Sequence, residues 1–204
     1  MSYLTEREFL EFIKYEEDKI YSIFFKLLFY TGMRKGEALA LEWENIDFNK
    51  KIITINKTYN TNFKLITLPK TEKSKRKILM SEIVYNELYN IYSQGFTGPI
   101  FKDYIRATTL REHCGRNLEK AEINKHIRIH DFRHSFASLC INKNIPIYIV
   151  SEYLGHKSVN ITLEVYSHLY PNSQDYLINV INDEKEKQDQ KQDQKIQHPL
   201  FLKG

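Results

Sequence analysis

The chain has 204 residues and a mass of 24.4 kDa, enough for one domain with a substantial core, and 42% of it is hydrophobic. Seven glycines, five prolines and two cysteines exclude a collagen-like chain, a disulfide framework and a four-cysteine zinc site. The formal net charge of +4 is unevenly spread: residues 1–18 carry six acids against two bases, residues 64–77 six bases against one acid, and residues 102–133 eight bases against five acids. A basic belt opposite an acidic end suits a polyanionic partner.

The pattern of apolar residues predicts a mainly helical chain with a small antiparallel sheet set inside it, an α+β fold. Thr5 followed by Glu8 is a capping box, and Phe9, Phe12 and Ile13 give a helical stripe over 5–15. A second, very apolar helix is predicted over 18–30, closed by Thr31-Gly32, and a short one over 35–41. Residues 46–48 and 52–55, joined by Asn49-Lys50, read as a β-hairpin; 63–68 and 76–80 read as two more strands linked by a lysine-rich loop. Helices resume over 81–93, 108–121, 130–142, 146–154, 159–168 and 173–181. Residues 183–195 hold no apolar side chain, and 183–204 read as a polar, disordered tail. The longest apolar stretch, residues 20–33, falls short of the about 20 residues of a membrane span. The N-terminus lacks a signal-peptide core. These features lead us to expect a soluble, cytoplasmic protein with no membrane partner.

The sequence has no Walker A loop, G-x-G-x-x-G, C-x-x-C or H-E-x-x-H, so no nucleotide, dinucleotide or metal cofactor is implied. His130 and His134 have the i, i+4 spacing of metal ligands. Arg133 lies between them, however, and no third ligand is evident. Five short stretches carry cations or hydroxyls beside turns and helix ends. Arg34 enters a helix just after a glycine turn, where backbone amides already favour an anion, and Glu37 is placed to hold its guanidinium. Residues 69–77 form a basic turn with Lys70, Lys73, Lys75 and Arg76, suited to DNA phosphates. His130 and Arg133 lie three apart on one helix face, able to donate to one oxyanion, with His134 beside them. His156 follows Gly155 at a helix end, and Tyr166 sits on a late helix.

The words T-G-M-R-K-G-E-A-L, P-K-T-E-K-S-K-R-K-I, H-D-F-R-H-S-F-A-S, L-G-H-K-S-V-N-I-T and V-Y-S-H stand in that order, with Arg34 and Arg133 99 residues apart and Arg133 and Tyr166 33 apart. In these words, over residues 4–170, the sequence resembles the tyrosine recombinase (phage and transposon integrase) family.

The resemblance implies the fold of that family's catalytic domain over residues 1–182, with a final helix near 173–182 exchanged with a neighbouring subunit. It gives Arg34, Lys70, His130, Arg133, His156 and Tyr166 the catalytic places, with Glu37, Lys73, Lys75, Arg76 and His134 as supporting or DNA-contacting residues. It also implies double-stranded DNA as partner, self-association into a tetrameric synapse, and strand transfer through a 3′-phosphotyrosine without metal or ATP. Tyr166 is the expected nucleophile, His130 the base for its proton, and Lys70 the acid for the departing 5′-oxygen. The N-terminal DNA-binding domains of the family are expected to be absent from this chain, leaving it a weak, salt-sensitive binder. Two rival readings are a type IB topoisomerase, which shares the chemistry, and a non-catalytic DNA-binding module that kept the fold.

Overall fold

A computed structural model describes residues 2–67 and 75–167, together with 178, 181 and 182. Two compact units divide the chain, Met1–Ser167 and His168–Gly204. The elements below belong to the first. The expected strand end at 68, the lysine-rich turn with Lys70 and Lys73, most of the expected helix over 173–181 and the tail over 183–204 lie outside the described residues.

Helix α1 (Glu6–Lys14) starts at the capping box: the Glu8 amide donates to Thr5 Oγ1 at 3.2 Å and the Thr5 amide to Glu8 Oε2 at 2.8 Å. Helix α2 (Lys19–Thr31) starts where the Asp18 carboxylate accepts from the amides of Ile20 and Tyr21, and it ends at Gly32, whose φ is +61°. Because α2 is apolar on nearly every face, it forms the spine of the core, burying Ile23, Phe24, Phe25, Leu27, Leu28 and Phe29. Phe9 of α1 stacks on Phe29 with centroids 3.9 Å apart.

Helix α3 (Lys35–Leu39) is two residues shorter than its sequence suggests. Past Ala40 the chain turns outward to pair with a later loop: the Trp43 amide donates to Gly98 O and the Ile100 amide to Leu41 O. These cross-chain bonds satisfy backbone groups that would otherwise have continued the helix.

The strands form two sheets where one was expected. β1 (Ile46–Asp47), β2 (Ile52–Ile55) and β5 (Arg76–Leu79) make an antiparallel sheet in the order β1-β2-β5, with Ile53 opposite Ile78. Ile53 and Ile55 point into the core, as the period-2 alternation of a half-buried strand requires. β3 (Thr58–Asn60) and β4 (Leu65–Thr67) make a separate hairpin with Tyr59 opposite Ile66. The pattern overlooked β3 because Lys57 to Asn62 is almost wholly polar. Its place comes from packing on α3, where a Cβ on Gly36 would stand 2.6 Å from Thr58 Oγ1 and 2.8 Å from the Tyr59 carbonyl oxygen.

The remaining helices are α4 (Glu82–Tyr92), α5 (Ala107–Lys120), α6 (Asp131–Asn142), α7 (Ile147–Leu154) and α8 (Val159–Tyr166). Phe132 at the start of α6 is fully buried. It packs on Phe12 and Phe25 with centroids 5.6 and 5.3 Å apart, and the Leu4 amide donates to Ser135 Oγ. This aromatic cluster fixes the first turn of α6, which carries Arg133, against α1 and α2. Cys114 and Cys140 are both buried as free thiols.

Candidate active site

Arg133 is 4% exposed, and its guanidinium donates to two carbonyls, Nη1 to Gly32 O at 2.9 Å and Nη2 to Leu154 O at 2.7 Å. These carbonyls terminate α2 and α7, so the end of each helix aims its negative pole at the cation. Gly32 is required at this corner. Its φ is left-handed, and a Cβ there would lie 2.6 Å from both Leu154 Cδ2 and Phe136 Cδ1. Among the described residues Arg133 has no ion pair. Burial, reinforced by the nearby charge of Arg34, lowers its pKa to about 9. It therefore remains charged at neutral pH, with neutral partners only, and its charge is free to act on an anion.

Arg34 caps the start of α3 through Glu37. The Arg34 amide donates to Glu37 Oε2 and Arg34 Nη1 to Glu37 Oε1, each at 2.8 Å. Arg76 reaches the same carboxylate from β5, with Nη1 2.9 Å from Oε1 and Nη2 2.9 Å from Oε2, and its Nε donates to Tyr153 O at 3.0 Å. Burial of Glu37 favours its neutral form, but the Arg76 and Arg34 guanidiniums prevail and hold its pKa at about 2. Arg34 keeps a partly exposed side chain, whereas Arg76 is enclosed.

Three imidazoles stand around the guanidiniums. His130 is the N-cap of α6, and its ring meets that of His134 edge to face at 5.2 Å. His156 follows the left-handed Gly155, and its Nδ1 lies 2.7 Å from Thr162 Oγ1 on α8. Burial, then the charge of Arg133 and Arg34, pushes His156 down to about 4. Burial, then the neighbouring His130, does the same to His134. Burial and Arg133 lower His130 as well.

Tyr166 closes the group from the last turn of α8. It is 3% exposed, and its hydroxyl lies 2.5 Å from His134 Nδ1. With the imidazole neutral, the phenol is the donor in this bond. Burial raises Tyr166 to about 12, although Arg133 pulls in the opposite direction.

The fold thus brings together Arg34, His130, Arg133, His156 and Tyr166, with Glu37 and His134 in contact with them. Lys70 and Lys73 lie outside the described residues, and Lys75 is exposed just ahead of β5. Of the two places expected for Arg76, support of the site or contact with DNA, the side chain takes an inward position on Glu37. The contact between His134 and Tyr166 leaves no local signal in the sequence, because 32 residues separate them and they lie on different helices. Thr162, the partner of His156, carries no motif of its own that would single it out in the sequence.

The model of the phage integrase family matches residues 3–173. The ICEBs1 integrase of Bacillus subtilis is 30% identical over 201 residues, covering 90% of this chain and 55% of that protein. A XerC-like tyrosine recombinase of Caldanaerobacter subterraneus is 27% identical, covering 78% of this chain and 48% of its own length. The chain therefore spans about half the length of these curated relatives. Among solved structures, the Tn1549 transposon integrase in complex with circular intermediate DNA has a similar fold, with a TM-score of 0.73 at 21% identity, covering 88% of this chain and 67% of that one. The catalytic domain of bacteriophage HP1 integrase aligns with a TM-score of 0.62 at 21% identity, covering 88% of this chain and 94% of that one. The mainly helical fold with small antiparallel sheets is shared with these domains. With the family's model running from before α1 to beyond Tyr166, this chain belongs to the phage integrase family, the tyrosine recombinases.

Proposed function

We infer that this chain is the catalytic domain of a site-specific DNA recombinase, an enzyme that cleaves and rejoins duplex DNA during integration or excision of a mobile element. The observation that carries this reading is the buried Arg133 guanidinium, which among the described residues has no ion pair, beside Arg34, three imidazoles and a buried phenol. Such a pocket is built for a phosphodiester. The likeness of fold to the Tn1549 integrase, solved with DNA, supports the same substrate class.

In this reading Arg34 and Arg133 clamp the non-bridging oxygens of the scissile phosphate, and His130 and His156 add donors as charge grows there. The Tyr166 oxygen forms a bond to phosphorus and the bond from phosphorus to the 5′-oxygen breaks. The phenol proton passes to His134, its bonded partner, rather than directly to His130. The leaving 5′-oxygen takes a proton from Lys70. A 5′-hydroxyl of a second strand then attacks the phosphotyrosine and reverses each proton transfer. One phosphoester replaces another at every step, so no external energy source enters the balance. Exchange between two duplexes calls for four such domains acting in one synapse, the assembly implied by the family resemblance.

The test is covalent trapping on a nicked duplex carrying a candidate attachment site. The wild-type chain is expected to form a protein–DNA adduct, and Tyr166→Phe to bind the duplex and form none. An adduct that persists in Tyr166→Phe would move the nucleophile elsewhere, with Tyr170 the nearest alternative in sequence.

A further inference from the structure

A cavity of about 250 Å³ opens at the Lys19 end of α2, beside the last turn of α4 and the chain that follows it to Tyr104. Trp43, Ile91 and Ile100 are buried and make its floor. Phe96 and Tyr104 stand at its lip, 47% and 54% exposed. The catalytic group uses none of these residues. It sits at the other end of α2, where Gly32 grips Arg133, about 20 Å along a helix of this length.

Size, charge and surroundings together define an occupant. The cavity has room for one ring-bearing side chain and is smaller than the roughly 300–1,000 Å³ of sites that enclose a whole drug-sized ligand. Lys19 is the one charged residue that lines it, and among the described residues Lys19 has no ion pair. The neighbouring Asp18 carboxylate is taken up by the amides of Ile20 and Tyr21. The field at the mouth is therefore cationic and favours a partner carrying negative charge.

The cavity also continues outward as an aromatic surface. Trp43 on its floor meets Tyr92 with centroids 5.5 Å apart, and Phe48 joins Tyr92 at 4.7 Å and Tyr89 at 5.4 Å. Tyr92 and Tyr89 are exposed. On the other side Phe96 and Thr97 stand between Gly95 and Gly98, with φ of +84° and +76°. A Cβ on either glycine would meet nothing within 4 Å, so the backbone turn and not packing calls for glycine here. These turns hold the Phe96 ring at the lip, half in water. Aromatic rings around a desolvated pocket are the usual anchor points of protein interfaces.

We propose that this cavity docks an acidic segment of a second protein, with one aromatic side chain filling it, a neighbouring carboxylate meeting Lys19, and the segment's backbone crossing Tyr92. Nothing in this docking depends on the reaction at Tyr166. Because cavity and catalytic pocket lie at opposite ends of α2, partner and DNA are held at the same time.

Trp43 is the one tryptophan of the chain, so its emission reports on the cavity directly. The probe is the peptide acetyl-Glu-Glu-Phe-Leu-Glu-amide, free of tryptophan and tyrosine, titrated into the 204-residue chain. A saturable change in Trp43 emission is expected. The same peptide with glutamine for every glutamate should bind at least about fivefold more weakly, and so should wild-type peptide to Lys19→Glu. Tyr104→Ala should weaken binding by a similar factor of about five. Both substitutions are at exposed side chains, and both variants should melt as wild type does. Saturating duplex should change the peptide's affinity by less than about twofold. No saturable change in wild type would overturn the docking site, as would undiminished binding of the glutamine peptide or by Lys19→Glu. Displacement of the peptide by duplex would place it in the catalytic pocket and overturn the site as well. Emission that shifts with protein concentration alone would give the cavity to a second copy of this chain, against the proposal. The adduct assay is separate: Lys19→Glu should form the Tyr166-dependent adduct at the wild-type rate. Loss of the docking site leaves that adduct standing, and a wild type that forms none overturns only the recombinase reading.

Discussion

Arg76 and Glu37 form a two-pronged ion pair, both oxygens of the carboxylate meeting both terminal nitrogens of the guanidinium at 2.9 Å, with each side chain less than a tenth exposed. The third nitrogen of Arg76 holds the Tyr153 carbonyl, two residues before Gly155. One buried side chain thus ties β5 to the start of α3, where Arg34 sits, and to the end of α7, where His156 follows. Arg76→Ala should destabilise the fold by less than the about 3–5 kcal/mol of a fully stranded buried partner, because Arg34 still holds Glu37, and thermal melts would measure it. Arg76→Lys should recover little of this, because a single ammonium cannot serve both oxygens and the carbonyl in that plane. A lysine variant as stable as wild type would remove the fork from this role.

His134 holds the hydroxyl of Tyr166 and is the neutral base nearest to it. His134→Gln should leave duplex affinity close to wild type and slow adduct formation by about 10²–10⁴-fold, the usual worth of a positioned general base. A single-turnover rate within threefold of wild type would return the proton to another group, with His130 next in line.

The depressed imidazoles make a prediction about stability. His134 and His156 take protons at about 4 in the folded protein, against an ordinary value of 6.5. Between those values the unfolded chain binds more protons than the folded one, so stability falls as pH drops through that window. The thermal midpoint should be level above pH 7 and decline from about pH 6.5. Carboxylates held low by their partners, such as Glu37, begin to add to the decline about one pH unit above their ordinary value of 4.5, where the unfolded chain starts to protonate them. The slope from 6.5 to about 5.5 therefore reports the histidines, and His156→Gln should flatten it. A midpoint independent of pH over that interval would contradict the buried, cation-flanked placement of these rings.

Lys70 is tested through the leaving group. Lys70→Ala should slow cleavage of ordinary DNA strongly, and far less on DNA whose scissile 5′-oxygen is replaced by sulfur, because a thiolate departs without a proton. Equal losses on the two substrates would point to Lys73, Lys75 or Lys77, or to no lysine at all.

Local signals made the helices legible in the sequence. Thr5 with Glu8, and Gly32 and Gly155 after apolar runs, each satisfy backbone groups within a few residues, and these ends form as read, while Asp18, read as the start of the second helix, is its N-cap. The short strand β3 was not legible, because a polar Thr-Tyr-Asn segment becomes a strand only through its partner β4 and the close floor at Gly36. The same division holds for the site. The ordered words placed Arg34, His130, Arg133, His156 and Tyr166 in one family pattern, and the fold gathers them. Which imidazole meets the phenol, and whether Arg76 looks outward or inward, depends on contacts between residues 32 and 39 positions apart. No periodicity carries that information.

The corner at Gly32 sets a tolerance for the whole pocket. Its carbonyl and that of Leu154 grip the same guanidinium, while Leu154's own methyl occupies the space a side chain at 32 would need. The gap between these two oxygens, and with it the aim of Arg133, is therefore gauged by a missing carbon atom. Even alanine at this position would wedge the jaws apart, and the cation between them would lose its bearing on whatever phosphate arrived.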